Sequence, residues 1–145
     1  MLYYTPFMFG LVSLHAHVKQ VYSSQVIFTL LYSLSILHHA KNKHIYWSKP
    51  VVDGFDKLVA HATILHAIII GRQVALACNN PIPFLSSLTP CLVAIWTFYV
   101  TKLNYHPVTG DYWHALVCHI IPSIGYHITL SYVKVPWPMS EKMIL

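Results

Sequence analysis

The sequence predicts an all-α integral membrane protein, a single helical bundle of four to five transmembrane helices over residues 1–145. Hydrophobic residues make up 56% of the chain and charged residues only 9%, whereas a soluble domain usually carries about 25% charged residues. The mean hydropathy is +0.54. The chain shows no series of alternating segments of about ten residues, as a membrane β-barrel requires, so its apolar segments are expected to be helices.

Five apolar segments approach or reach the length of about 20 residues that a membrane-spanning helix needs. They cover residues 4–18, 21–40, 55–78, 84–103 and 111–133. The first is short, so it either spans the membrane or lies at its interface. The fourth follows "NNPIP", in which the prolines favour a turn and a helix start, and the fifth ends before "VPWP".

The distribution of lysine predicts the orientation of these helices. Lys41, Lys43 and Lys49 lie between the second and third segments, whereas "CNNPIP" after the third has no charge. Positively charged loops favour the cytoplasmic side, so residues 41–54 are expected there. The remaining basic residues are scattered, which argues against a nucleic-acid partner. The expected partners are membrane lipids and, if the bundle serves a larger complex, other membrane subunits.

The histidine content points to a site within this bundle. The chain has eleven histidines, and an imidazole is costly to place in hydrocarbon. Polar residues occur at three predicted helix ends on the lysine-rich side: His38, His39, Asp53, Asp56, Asp111 and His114. His61 and His119 lie five residues further along their helices, which places them roughly 7–8 Å deeper at a rise of ~1.5 Å per residue. We expect these side chains to converge.

Some of these residues also have structural explanations. A carboxylate at the start of a helix stabilises its free N–H groups, so Asp53 and Asp111 are candidate caps. A histidine near the interface, such as His38, often only hydrogen-bonds a carbonyl or a headgroup. Capping does not account for His61 and His119, which lie beyond the first turn.

Three histidines and a neighbouring carboxylate are typical of a catalytic zinc site, which leaves one metal position open. The sequence predicts His39 and His114 as ligands, His61 as the candidate third ligand with His106 as the alternative, and Asp56 beside them. His119 follows His114 at i+5, about 140° further round a regular α-helix. It is therefore not expected to pair with His114.

The same residues resemble the CREST superfamily, which includes alkaline ceramidases, adiponectin-receptor-like proteins and Per1-like proteins. Ser35-Ile-Leu-His-His39 matches the Ser-x3-His motif of that superfamily, Asp56 follows in the next helix, and Trp113-His114 resembles part of its final His-x3-His pair. Gly110 stands where the first histidine of that pair is expected. The resemblance covers roughly residues 30–60 and 106–126. It implies zinc-dependent hydrolysis of a lipid amide or ester, with Asp56 and Ser35 as the catalytic candidates.

Two other functions remain open. His61 and His119 are expected at equal depth, as bis-histidine ligation of haem b in a helical bundle requires. Alternatively, the chain is a non-catalytic bundle that acts as an accessory subunit, a scaffold or a carrier. Whether the protein is an enzyme is therefore not decided by the sequence.

Overall fold

The computed structural model describes residues 4–39, 49–102, 106 and 108–134, and the regular elements within these ranges are all helical. The helices are α1 (Phe7–Val18), α2 (Tyr22–His39), α3 (Lys49–Cys78), α4 (Ile82–Ile95), α5 (Gly110–His114) and α6 (Ile121–Ser131). A π-helical segment, Trp96–Thr101, continues α4, and a second one, Ala115–Ile120, joins α5 to α6. The prediction of an all-α fold is confirmed, and these helices form five rods.

The rods pack side by side around an apolar core. α1 packs on α2, α2 on α3, α3 on α4, and α4 on α6, while α1 also contacts α6. Tight turns follow α1 and α3, where Gln20 and Asn79 adopt left-handed backbone conformations with φ of 59° and 49°, as residues just after a helix often do. The buried core residues include Phe9, Val12, Ala16, Phe28, Leu31, Ala67, Ile70, Val74, Tyr126 and Leu130.

Two glycines allow the central rods to approach closely. A Cβ atom at Gly71 would lie 2.6 Å from Ser87 Oγ, and one at Gly125 would overlap the backbone oxygen of Ser86. The hydroxyl of Thr129 on α6 lies 2.7 Å from that of Ser87 on α4. Small residues and hydroxyl pairs of this kind hold apolar helices together in membranes.

Helix α3 begins at Lys49, earlier than the expected start at Phe55. Pro50 is compatible with the first turn of a helix, where its missing N–H group costs nothing. Asp53 and Asp56 therefore lie within the helix, whose first turn contains no acidic residue. The expectation that Asp53 opens and caps α3 is wrong. Of the predicted cytoplasmic loop, Lys41 and Lys43 lie outside the described residues.

Among the described residues, two helices are long and apolar enough to cross a membrane, namely Pro50–Cys78 and Ile82–Thr101. Their outer surfaces carry large apolar side chains, with Leu58 64%, Leu76 68% and Leu92 54% exposed. An extended apolar surface is unusual in a monomeric soluble protein and is typical of a surface that faces lipid or a partner.

Candidate metal centre

Three histidines, His39, His114 and His119, converge at one end of the bundle and are called the histidine cluster below. One potential ligand atom from each lies within 4.8 Å of the others. The His39 ring centroid is 5.6 Å from that of His114 and 5.5 Å from that of His119, and the last two centroids are 5.0 Å apart. The structure thus brings His39 and His114 together, as the sequence predicts.

The π-helical segment explains why His119 belongs to this cluster. In a regular α-helix, residues i and i+4 share a face. A π-helical turn closes its hydrogen bonds from i to i+5 and therefore takes in one extra residue. His119, at i+5 from His114, consequently returns to the same face. The expectation that His119 cannot pair with His114 is wrong because it assumed regular α-helical geometry.

Pro122 gives a local reason for this irregular turn. It is the second residue of α6, directly after the π-helical segment Ala115–Ile120. A proline inside a helix has no N–H to donate, and its ring clashes with the carbonyl of residue i−4, here Cys118. Proline and π-helical turns are both recurrent causes of helix irregularity.

A divalent metal ion fits the donor set of the cluster. Tetrahedral zinc, with Zn–N distances of ~2.0–2.1 Å, holds imidazole nitrogens about 3.3 Å apart. Since the cluster atoms are at most 4.8 Å apart, closing around an ion requires movements of about 1.5 Å or less. Imidazole nitrogen is a favoured ligand of zinc, copper and nickel. The cluster can therefore hold a metal ion.

Carboxylates from α3 lie beside the cluster. Asp53 Oδ1 is 2.8 Å from Nδ1 of His38, and Asp56 Oδ2 is 4.0 Å from the same nitrogen. The ring of His38 meets that of His39 edge to face at 4.6 Å. Both carboxylates thus lie near His38, which in turn contacts His39 of the cluster. The assignment of Asp53 as a helix cap concealed its place in the site, although the spacing of three residues between Asp53 and Asp56 puts both on one helical face.

The histidine cluster adjoins a mostly apolar cavity of about 170 Å³. Its polar lining includes His114, His119, Asp56 and Ser35, and the last of these is only 2% exposed. The apolar lining includes Phe9, Phe28, Leu31, Ile64, Ala67, Cys91, Ala94, Ile95 and Phe98. The cavity can thus place an apolar group next to the two candidate catalytic residues, Asp56 and Ser35.

His61 lines this cavity but does not join the histidine cluster. Its Nδ1 is 2.6 Å from the backbone oxygen of Lys57, and its Nε2 is 2.8 Å from the Tyr99 hydroxyl. Because a carbonyl only accepts, Nδ1 carries the proton and Tyr99 donates to Nε2. The third histidine beside His39 and His114 is His119 rather than His61. The haem alternative stays a prediction; it requires His61 to give up its bond to Tyr99.

Comparisons with protein-family models, with curated proteins and with solved structures find no match for this chain. The resemblance to the CREST superfamily therefore remains a prediction.

Proposed function

We propose that this protein is a multi-pass membrane hydrolase that binds one zinc ion at His39, His114 and His119 and cleaves an amide or ester bond of a lipid. The observation that carries the proposal is the convergence of three imidazoles, two of which, His114 and His119, line an apolar cavity. Three histidine ligands with one open position are typical of catalytic zinc. Zinc bound there supplies a Lewis acid and activates water for attack on a carbonyl group.

The side chains around the histidine cluster have separate roles in the proposed reaction. Asp56, half-buried at the cavity wall, would accept a proton from the attacking water and return it to the amine or alcohol that leaves. Asp53 Oδ1 lies 2.8 Å from Nδ1 of His38 and thereby holds His38 in its edge-to-face contact with His39. Ser35 lies one turn before His39 on the same face of α2, and its hydroxyl donates to the carbonyl oxygen of the substrate. The apolar lining binds the hydrocarbon part and excludes bulk water.

The resemblance to the CREST superfamily, which rests on the same residues, supports a hydrolase and a lipid substrate. Ser35 and His39 match its first motif, and Asp56 matches its acidic residue. The π-helical segment makes His114 and His119, spaced at i+5, a geometric counterpart of a His-x3-His pair on a regular helix. On this reading the final motif is present with one inserted residue, rather than broken at Gly110.

Four to five membrane spans are part of the proposal. α3 and extended α4 are candidate spans by length and composition, and the other rods pack alongside them. Leu14 of α1 and Val26 of α2 are 60% and 59% exposed, which supports contact with lipid on that side as well.

Hydrolysis by the full-length protein in detergent tests this function. Lipid amides and esters with a fluorescent acyl chain are the substrates, and zinc content is measured on the same samples. His114→Ala should lose zinc and hydrolysis together, whereas Asp56→Asn should keep most of the zinc and lose hydrolysis. His15→Ala, at the other end of α1, is the control and should keep both.

The outcomes also separate the competing functions. Hydrolysis that survives His114→Ala contradicts the proposal. Zinc retention without hydrolysis of any substrate favours a non-catalytic bundle. A Soret absorption band in place of zinc favours the haem-binding alternative.

A further inference from the structure

Helix α1 and the turn before it contribute two side chains to the surroundings of the histidine cluster, although the family resemblance begins only near residue 30. Thr5 Oγ1 lies 2.8 Å from Nδ1 of His119. The ring of Phe9 packs on the His119 ring at a centroid distance of 5.1 Å and an angle of 53°. Thr5 is 8% exposed and His119 only 3%. The contact with Thr5 limits rotation of the imidazole within its plane, and the ring of Phe9 limits its movement out of that plane.

The turn that precedes α1 places Thr5 firmly. Backbone N–H groups of Met8 and Phe9 donate to the oxygens of Thr5 and Pro6 at 3.0 and 2.9 Å. Pro6 has φ of −57°, the value that its ring imposes. Thr5 therefore sits on a backbone segment with little freedom, and its hydroxyl is held against His119.

The contact decides which nitrogen of His119 faces the cluster. An imidazole has two ring nitrogens, and Nδ1 of His119 is engaged by Thr5. Nε2 is therefore the nitrogen left for a metal. Histidine ligands almost always donate their second N–H group to an oxygen, which fixes the tautomer and the ring orientation. The Thr5 hydroxyl supplies such an oxygen.

We propose that Thr5 is a positioning residue of the metal centre, which holds His119 with its proton on Nδ1 and its Nε2 directed to the ion. This inference rests on the proposed metal site, but it does not depend on the reaction. It makes the start of α1 a functional part of the protein.

Removal of the hydroxyl alone should leave α1 docked on the bundle. Phe9, Val12 and Ala16 anchor the helix in the apolar core. Ser13 Oγ lies 2.7 Å from Thr29 Oγ1 and adds a polar contact to α2. Thr5→Val therefore tests one hydrogen bond rather than the attachment of the helix.

Thr63 offers a matched control. It is 5% exposed and lines the same cavity as His119. Its hydroxyl donates to the backbone oxygen of Val59 in its own helix at 2.7 Å. Thr63→Val therefore removes a buried hydroxyl from the same cavity without touching the cluster.

The test measures binding of Co²⁺ and Zn²⁺ to the full chain in detergent, by competition with a chelating indicator. Thr5→Val should weaken binding by ~10–100-fold, as loss of an outer partner of a ligand histidine does, and should shift the visible bands of bound Co²⁺. Thr5→Ser, which keeps the hydroxyl, should restore affinity and spectrum. Thr63→Val should leave both unchanged.

A second measurement reads the site in the unaltered protein and so does not depend on the folding of Thr5→Val. With ¹⁵N-labelled histidine, NMR should show the proton of His119 on Nδ1 and the bound Zn²⁺ on Nε2, with the signals assigned through His119→Gln. Wild-type affinity in Thr5→Val, or metal on Nδ1, overturns the role of Thr5 and leaves the metal site intact. A wild-type chain that binds neither ion overturns both proposals.

Discussion

The two ends of the bundle each bring histidines together, but in different ways. At one end, His39, His114 and His119 surround a common point beside a cavity. At the other end, Nδ1 of His15 on α1 lies 2.9 Å from Nδ1 of His127 on α6, and the two rings stack at 5.1 Å. Neither His15 nor His127 is among the residues that line the cavity.

The difference shows what separates a ligand site from a packing contact. Two facing imidazoles share one proton, because one ring donates and the other accepts. This hydrogen bond joins α1 to α6 and uses one nitrogen of each ring. A third imidazole and a neighbouring cavity change the chemistry, since three nitrogens that lie within 4.8 Å of one another could hold a metal ion. The third imidazole and the neighbouring cavity therefore distinguish the two ends.

The largest expected effect is a difference in zinc affinity between a substitution at one end of the bundle and a substitution at the other. His114→Ala should weaken zinc binding by more than the ~10–100-fold that loss of an outer partner costs, because a ligand itself is lost. His127→Ala should leave affinity unchanged, since the pair at the other end provides only two imidazoles. Competition titrations with a zinc indicator measure both. Equal losses in the two variants would contradict the distinction between the two ends.

A smaller effect on zinc affinity is expected from a change at the contact between α6 and α4, which lies between the two ends. Gly125→Ala places a methyl group against the backbone oxygen of Ser86, and overpacking of this kind costs ~1–3 kcal/mol. Since His119 and Gly125 lie on one continuous rod, zinc affinity should fall as well. Unfolding in detergent with increasing SDS gives the loss of stability.

Gly54→Ala is the matched control for that substitution. A Cβ atom at Gly54 meets no atom within 4 Å, and alanine in a helix interior is favoured over glycine by roughly 0.5–1 kcal/mol. This variant should be as stable as the wild type or slightly more stable. If Gly125→Ala behaves in the same way, close packing of α4 and α6 is not what positions His119.

The smallest effect concerns the pair itself. His15→Ala removes one hydrogen bond between α1 and α6 and should lower stability by about 0.5–1.5 kcal/mol, without change in zinc affinity. The same unfolding and titration measurements apply. A fall in zinc affinity as large as that of His114→Ala would mean that the two ends act together rather than separately.

The sequence predicts the helical class and part of the site. The predictions that are wrong have physical causes. The depth of each residue along its helix and the order of the helices were enough to predict that His39 and His114 lie close together. His119 was excluded because the prediction assumed 100° per residue, whereas a π-helical turn before Pro122 changes the angle. Asp53 was assigned to a helix end because the start of α3 was placed too late. Contacts from α1 and the turn before it, such as the contact of Thr5 with His119, depend on tertiary packing. No local sequence pattern encodes that packing.

X-ray absorption spectroscopy of the zinc-loaded wild-type protein tests the central claim most directly. If His39, His114 and His119 bind the ion, the spectrum should show three imidazole nitrogens at ~2.0–2.1 Å and one further light atom. A spectrum dominated by sulfur at about 2.3 Å would place the ion at cysteines instead. Sulfur ligation, fewer than three imidazoles, or failure to retain zinc would contradict the account.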